Sequence, residues 1–203
     1  MGKALNPHPE EHAPLRYKDD VRRQSEMTMD SDRKRHRVYE VVAMGGTFDV
    51  LHSGHKELLR KAFAVGRKVM IGVTSDEFAR SLHKPHKVDP YPRRKVDLER
   101  LLGKWRVLPR ARIVPLDNRY GPTVESSRIN ALIVSRRTIG TAYEINAERK
   151  AKGLKPLEIV PIDLLLADDH RPISSTRIRR GMIDRRGRLV RARRRRVRTS
   201  RTP

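Results

Sequence analysis

The sequence predicts an α/β fold, a doubly wound sheet of about five parallel strands with helices on both faces. Two observations lead to this prediction. Short, continuous apolar runs recur along the middle of the chain, and segments with helical periodicity separate them. The first strand, helix and second strand all fall within residues 38–74, a spacing typical of a βαβ crossover and hence of parallel pairing.

The first strand is predicted over residues 38–44, a β-branched run that ends at two glycines. A helix follows over 54–66, where the apolar residues share one stripe and a glycine marks the stop. The remaining elements alternate in the same way, with strands predicted over 68–74, 111–116, 130–135 and 157–163 and helices over 75–82, 93–105 and 138–153.

Charge and composition divide the 203 residues into three parts. Residues 1–36 mix charged residues, Pro and His without apolar periodicity, which predicts a flexible charged leader. The predicted domain covers 37–187, and residues 188–203 form an Arg-rich tail. The net charge of +23 favours anionic ligands such as nucleotides, phosphorylated metabolites or nucleic acid. Runs of like charge are usually solvated, so we interpret the tail as flexible, with nucleic-acid contact as the alternative.

Several classes of protein are excluded by composition. The chain has no cysteine, which removes disulfides, thiolate metal sites and cysteine nucleophiles. No uncharged apolar run approaches the roughly 18 residues that a membrane span needs, and the N-terminal residues lack a secretory pattern. We therefore expect a cytoplasmic protein without membrane contact.

The motif GGTFDVLHSGH, residues 45–55, lies where the first strand passes into the first helix. Ligands of open parallel sheets bind beyond the carboxyl ends of the strands. Gly45 and Gly46 let the backbone approach a ligand closely, and Thr47 adds a hydroxyl. His52 and His55 run into the helix, whose first turn offers free N–H groups and a positive dipole end. This arrangement predicts an anion site.

Two other kinds of site fit the motif less well. The two histidines are spaced like metal ligands, but His52 precedes the helix and no carboxylate or thiolate ligand adjoins the pair. A Ser-His-Asp hydrolase would need a G-x-S-x-G elbow, which the sequence lacks. A glycine turn with a histidine that merely caps the helix would leave the preceding Gly-Gly-Thr unexplained.

A second motif, ISSTRIR at residues 173–179, follows about one domain later. Together the two motifs resemble those of the nucleotidyltransferase superfamily, in which H-x-G-H follows a G-T-F-D turn and I-S-S-T-x-I-R lies near the domain end. The stretches between them resemble the archaeal and eukaryotic type of phosphopantetheine adenylyltransferase, in IGVTSDEFA, HKVDPYPRR, DNRYGPT and EINAERKAKGLKPLEIV. The resemblance covers residues 38–187 and implies a Rossmann-like domain.

This resemblance implies an enzyme of coenzyme A biosynthesis, a nucleotide-binding transferase that moves AMP from ATP to 4′-phosphopantetheine. The products are 3′-dephospho-coenzyme A and pyrophosphate. The acceptor's phosphate oxygen is already ionised at neutral pH, so the enzyme needs neither a general base nor a nucleophile of its own. It has to align two polyanions and neutralise charge at the α-phosphorus. Mg²⁺ is expected with ATP, held mostly by phosphate oxygens and water.

The resemblance also assigns roles to individual residues. His52 and His55 would contact the ATP phosphates, with His55 at the transferring α-phosphate, and Thr47 would hold both reacting phosphates. The backbone at Gly45 and Gly46 would cradle ATP, as would Ser174, Ser175 and Thr176, while Arg177 or Arg179 would meet the β- and γ-phosphates. A lysine after the second strand would grip the acceptor phosphate; Lys84 and Lys87 both qualify, and we favour Lys87.

Some positions and alternatives stay open at this level. Asn146 and Arg149 match the family's I-N-x-x-R helix, but a charged helix face explains them nearly as well. Arg136 and Arg137 stand where relatives commonly carry acidic residues, and we hypothesise that one of them binds an anion. The alternatives are another H-x-G-H enzyme, such as a nicotinamide-nucleotide adenylyltransferase or a cytidylyltransferase, and a basic nucleic-acid-binding protein.

Overall fold

The computed structural model describes residues 38–190 and contains a five-stranded parallel sheet. The strands follow one another in the spatial order β3-β2-β1-β4-β5. Their bounds are Tyr39–Gly46 for β1, Gly66–Thr74 for β2, Ala111–Leu116 for β3, Ala131–Ser135 for β4 and Glu158–Ile162 for β5. All four strand pairings are parallel, as the sequence predicts. The predicted leader, 1–36, and all but the first three residues of the predicted tail lie outside the described residues.

Five α-helices and two short 3₁₀ turns connect and extend these strands in the described part of the chain. The helices are α1 (Ser53–Val65), α2 (Asp76–Ser81), α3 (Tyr91–Lys104), α4 (Ile139–Ala151) and α5 (Ser175–Arg179), and the 3₁₀ turns are Leu108–Arg110 and Gly121–Val124. Within residues 38–190, none of the helices has the length and apolar character to cross a membrane.

Helices cover both faces of the sheet, as predicted for a doubly wound fold. On one face, α1 and α3 pack against alternate residues of β1, β2 and β4, with Leu59 and Leu98 fully buried. On the other face, α4 places Ala142 and Ile145 against Leu132. Burying a leucine of this kind stabilises the fold by roughly 1.5–3 kcal/mol, so these contacts help to hold the helices against both faces of the sheet.

The strand order brings β1 to the centre of the sheet. From β1 the chain moves outward to β2 and β3 and then returns to β4 on the other side of β1. The crevice at this reversal, beyond the carboxyl ends of β1 and β4, is where doubly wound folds bind ligands. Gly45 and Gly46 are the last residues of β1 and lie beside Gly72 and Val73 of β2.

Element boundaries differ from the predicted ones by a few residues, and two of the differences lie where the chain is closely packed. Gly66 caps α1, as predicted, but it also begins β2, and it lies so close to Val42 that a Cβ at this position would come within 2.6 Å of that side chain. The chain also stays packed to Val190. Leu189 forms an antiparallel bridge with Ile183, and the Val190 N–H donates to the carbonyl of Met182 at 3.1 Å.

Candidate active site

The turn after β1 is built around a buried phenylalanine in an unusual backbone conformation. Phe48 has φ of 49° and is 1% exposed. Positive φ is uncommon for a residue other than glycine, and such residues often occur at functional sites. The backbone carbonyl of Thr47, just before it, accepts a 2.8 Å hydrogen bond from Arg94. The turn is therefore fixed from both sides, by a buried ring and by a buried guanidinium.

The two histidines of the first motif stack against each other at the start of α1. Their ring centroids are 3.8 Å apart. His52 is the N-cap, and its Nδ1 accepts a 3.4 Å hydrogen bond from the backbone N–H of His55. Gly54 lies between them, and a Cβ there would come within 3.1 Å of the His52 ring and 3.9 Å of the carbonyl of Ile173. This contact also shows that the two motifs lie against each other.

Both imidazoles are neutral at physiological pH. Burial lowers the pKa of His52 to about 4, from 6.5. Burial also lowers the pKa of His55 well below its ordinary value, and the nearby His52 and Lys84 contribute in the same direction. The Nδ1 atom of His55 is buried without a hydrogen-bond partner in the described part of the chain. The pair can therefore offer hydrogen bonds to a ligand without adding a charge.

The side chain of Thr47 contacts a lysine from the loop that follows α2. The Nζ atom of Lys84 donates a 2.7 Å hydrogen bond to the Thr47 hydroxyl. Burial lowers the pKa of Lys84, although Asp49 acts to raise it. Lys87, which we favoured from the sequence, is exposed on the same loop. Both lysines and His86 line a cavity of 390 Å³, but the contact with Thr47 belongs to Lys84.

Arg94 is a residue of this site that the sequence analysis missed. It is 1% exposed and donates to the carbonyls of Thr47 and Asp89, to the Thr74 hydroxyl and to the carboxylate of Asp76. Its bonds join the ends of β1 and β2 to α3. A sequence signal exists: Arg94 shares a helical stripe with Leu98 and Leu102, where an exposed arginine would be out of place.

Asp49 is a second missed residue, and it changes the interpretation of Arg179. The Asp49 carboxylate accepts hydrogen bonds from Nε and Nη2 of Arg179 at 2.7 and 2.6 Å. Burial acts to raise the pKa of Asp49, but the bonds from Arg179 and the Asp89 N–H outweigh it and hold the pKa below its usual value. Arg177 is also paired, with Asp169 at 2.5 Å. Each arginine is therefore paired with a carboxylate. Only the folded structure shows which carboxylate that is.

The second motif forms the short helix α5 beside the start of α1. Ser174 is its N-cap and accepts a 3.4 Å hydrogen bond from the Arg177 N–H. Ser175 is buried and Thr176 lies in the first turn. The backbone N–H of Ser53 donates to the carbonyl of Arg185 at 3.0 Å. The fold thus brings together the segments that carry the two predicted motifs, which are more than 100 residues apart.

Asn146 and Arg149 support the fold away from this site. The Asn146 amide exchanges hydrogen bonds with the backbone of Leu157, just before β5. Arg149 is 1% exposed and donates to the carbonyls of Thr123, Ser126 and Lys155. All of these partners belong to the segments that precede β4 and β5 in the chain, and none belongs to either motif. A charged helix face is therefore the wrong explanation for both residues.

Arg136 and Arg137 do lie at the carboxyl edge, directly after β4. Both are exposed. Arg136 donates to the carboxylate of Asp163 at 2.8 Å in an ion pair whose two side chains are about four-fifths in solvent. Exposed pairs of this kind contribute little to stability, so Arg136 is held only loosely. Within residues 38–190, no group of three or more His, Asp or Glu side chains could hold a metal ion.

Comparisons with known proteins identify the family to which the chain belongs. A cytidylyltransferase-like family model matches residues 43–181. The phosphopantetheine adenylyltransferase of Methanothermobacter thermautotrophicus is 47% identical over 154 residues, which is 76% of this chain and 92% of that protein. The one from Methanosarcina acetivorans is 44% identical over 74% of this chain and 96% of that protein.

Among solved structures, a protein of unknown function from Archaeoglobus fulgidus is similar in fold and sequence. It has a TM-score of 0.54 and 37% identity, covering 60% of this chain and 88% of that one. The similarity to the curated relatives extends over most of the chain and nearly all of each relative. The chain belongs to the cytidylyltransferase-like family and, within it, to the phosphopantetheine adenylyltransferases of the archaeal type.

Proposed function

We propose that this chain transfers AMP from ATP to 4′-phosphopantetheine, yielding 3′-dephospho-coenzyme A and pyrophosphate. The observation that carries the proposal is the pair of neutral, stacked histidines at the start of α1. Beside them, Lys84 donates a hydrogen bond to the hydroxyl of Thr47. The names of the archaeal relatives support the choice of acceptor. Adenylyl transfer of this kind belongs to coenzyme A biosynthesis, and a cytoplasmic location, where ATP is available, is part of the proposal.

The reaction is a direct in-line displacement without a covalent enzyme intermediate. An oxygen of the acceptor phosphate forms a bond to the α-phosphorus of ATP, the bond from that phosphorus to the bridging oxygen breaks, and pyrophosphate leaves. Neutral imidazoles suit this step because they donate hydrogen bonds to the charge that builds up on the α-phosphate. The N-terminus of α1 adds a positive dipole end. No side chain has to remove a proton.

The acceptor phosphate is assigned to Lys84 rather than Lys87. Lys84 already contacts Thr47, the residue that would hold both reacting phosphates, whereas Lys87 is exposed on the loop. A dianionic phosphate beside a partly buried lysine would favour its charged form and offset the cost of burial. Binding to Lys84 and Thr47 would also place the nucleophilic oxygen near the two histidines, which is the main task of the enzyme in such a displacement.

Mg²⁺ is expected to accompany ATP, but the described residues provide no protein cage for it. The one fully buried carboxylate near the histidines, Asp49, is occupied by Arg179. An ion would therefore be held by ATP phosphate oxygens and water.

Arg136 and Arg137 remain candidates for an additional anion contact. Both lie after β4, next to the central strand, and neither is buried. Substitution of each by alanine should raise the KM for ATP or for the acceptor, with little effect on stability. If both KM values stay unchanged in both variants, the two arginines have no role in binding.

The direct test is incubation of the full chain with ATP, Mg²⁺ and 4′-phosphopantetheine, followed by measurement of pyrophosphate. CTP in place of ATP, and nicotinamide mononucleotide in place of the acceptor, distinguish the reaction from those of related enzymes. We expect turnover only with ATP and 4′-phosphopantetheine. Absence of product from folded protein would overturn the proposal. Removal of residues 191–203, which keeps the packed residues up to Val190, should leave this activity intact and abolish any salt-sensitive nucleic-acid binding by the Arg-rich tail.

A further inference from the structure

Asp49 is a buried charge with an unusual set of partners. Its side chain is fully buried, and both carboxylate oxygens accept from Arg179. One of them also accepts a 3.1 Å hydrogen bond from the backbone N–H of Asp89, and Nε2 of His86 lies 3.3 Å from the other. A buried carboxylate costs several kcal/mol unless it is paired and hydrogen-bonded. Asp49 meets that condition through residues distant from it in sequence.

Asp49 and these partners come from three segments that border the candidate active site. Asp49 belongs to the turn after β1, two residues from Thr47. His86 and Asp89 belong to the loop that carries Lys84, and Arg179 ends α5 in the second motif. Arg179 Nη2 also lies 2.9 Å from the exposed carboxylate of Asp89. The contacts of Asp49 therefore join the first motif, the second motif and the lysine loop at one point.

The bidentate contact also fixes the direction of the Arg179 guanidinium. Nε and Nη2 are both engaged, while Nη1 has no hydrogen-bond partner among residues 38–190. The side chain is 26% exposed. Arg177 differs, because Asp169 and the carbonyls of Arg171 and Pro172 bind it within its own segment. Of the two motif arginines, Arg179 is therefore the one whose position depends on the turn after β1.

We propose that Asp49 is a positioning residue that holds Arg179 with Nη1 directed at the β- and γ-phosphates of the nucleotide. The proposal deepens the adenylyl-transfer function and rests on it for the identity of the nucleotide. A planar guanidinium locked on one edge by a carboxylate keeps its other donors in a fixed direction, which favours recognition of phosphate oxygens. Asp49 acts through Arg179 and does not touch the substrate.

The test compares the binding of ATP and AMP, because only ATP carries the phosphates in question. Both affinities are measured by calorimetry at fixed ionic strength and Mg²⁺, without acceptor, so that no turnover occurs. The Asp49→Asn variant keeps the shape of the side chain. It should bind ATP at least about tenfold more weakly, which is a loss of about 1.4 kcal/mol of binding free energy. AMP should bind within about twofold of the wild-type value, since it lacks the β- and γ-phosphates.

A purely structural role gives a different pattern. Asp49→Asn would then weaken ATP and AMP binding equally, and that result would overturn the proposal, as would equal affinity of the wild type for both nucleotides. The fold is monitored by thermal unfolding. Arg149→Met is the matched control: it removes another buried charge on the opposite side of the sheet, and should lower stability without changing the ratio of ATP to AMP affinity.

A second variant tests whether Asp49 affects nucleotide binding through Arg179. Arg179→Lys keeps the positive charge but loses the bidentate contact, so it should also weaken ATP selectively. Adding Asp49→Asn to Arg179→Lys should then cause little further loss, because interacting residues are not additive. Additive losses would show that Asp49 acts independently of Arg179. These measurements need no acceptor, so a wild type that binds ATP selectively but forms no product would contradict only the proposed reaction.

Discussion

Two regions of the molecule bury polar side chains, and they differ in what those side chains contact. In the first, which we call the turn region (residues 45–55 with Lys84, His86 and Arg94), the buried Nδ1 atoms of His55 and His86 have no hydrogen-bond partner within residues 38–190. In the second, the α4 region (Asn146 and Arg149), the side chains bind backbone groups of nearby loops. Burial of a polar residue therefore does not by itself indicate a site.

The difference has a physical cause. A buried polar atom without a partner costs about 1–3 kcal/mol, and a bound ligand that completes its hydrogen bonding is one way to recover that cost. The α4 region needs no ligand, because the segments that precede β4 and β5 in the chain supply carbonyl groups to its side chains. The turn region lies at the carboxyl edge, where the strands end and the N-terminus of α1 opens toward solvent. The following variants test this distinction.

The largest effect is expected for His55→Asn. Loss of the imidazole removes a donor to the charge that builds up on the α-phosphate, so kcat should fall about 10²–10³-fold. The free energy of unfolding should fall by only about 1 kcal/mol, because the change removes the ring contacts with His52 and Phe48 but no side-chain hydrogen bond within the described residues. Steady-state kinetics and thermal unfolding measure the two effects. A kcat within a few-fold of the wild type would remove His55 from the mechanism.

Arg149→Met should give the opposite result. The change leaves the carbonyls of Thr123, Ser126 and Lys155 without their donor, so the free energy of unfolding should fall by at least about 2 kcal/mol. The kcat per folded molecule should remain close to the wild-type value. Denaturant titration combined with kinetics below the transition measures both. A specific loss of kcat with unchanged stability would show that the α4 region belongs to the site.

The neutral histidines predict a pH dependence of stability. The pKa of His52 is about 4 in the folded protein and 6.5 for an unperturbed histidine, so between these values the unfolded chain binds more protons. Stability is therefore lost as the pH falls below about 6.5. From pH 7 to 5 the wild type should lose about 1–2 kcal/mol more than His52→Asn, which keeps an N-cap acceptor. Parallel pH profiles of unfolding free energy for the two proteins would contradict this.

The smallest effect is expected from the lysine loop. Lys84→Ala should raise the KM for the acceptor about tenfold, because it removes the cation beside Thr47. A tenfold change corresponds to about 1.4 kcal/mol of binding free energy. Lys87→Ala is the matched control on the same loop and should change this KM by less than about twofold, as exposed charges contribute little. Equal effects of the two substitutions would mean that the loop rearranges on binding and that the observed contact does not select Lys84.

Much of the fold could be predicted from the sequence because its signals are local. Each strand is a short apolar run and each longer helix has a regular stripe, so their order predicted the parallel sheet. The position of the first motif at a strand-to-helix turn also followed from local pattern. The partners of Arg179, Arg94 and Arg149 could not be found in this way, because a charged residue looks the same in sequence whether it meets solvent, a carboxylate or a carbonyl.

By itself, the sequence determined the parallel α/β architecture and the two motifs, and through their resemblance to known families it indicated the class of enzyme. Only the tertiary structure decided which lysine contacts Thr47, that His52 and His55 are neutral, and that Asp49 pairs with Arg179 across 130 positions of sequence. The reason is that backbone propensity depends on neighbouring residues, whereas pKa values and ion pairs depend on burial and on groups that come close only when the sheet forms.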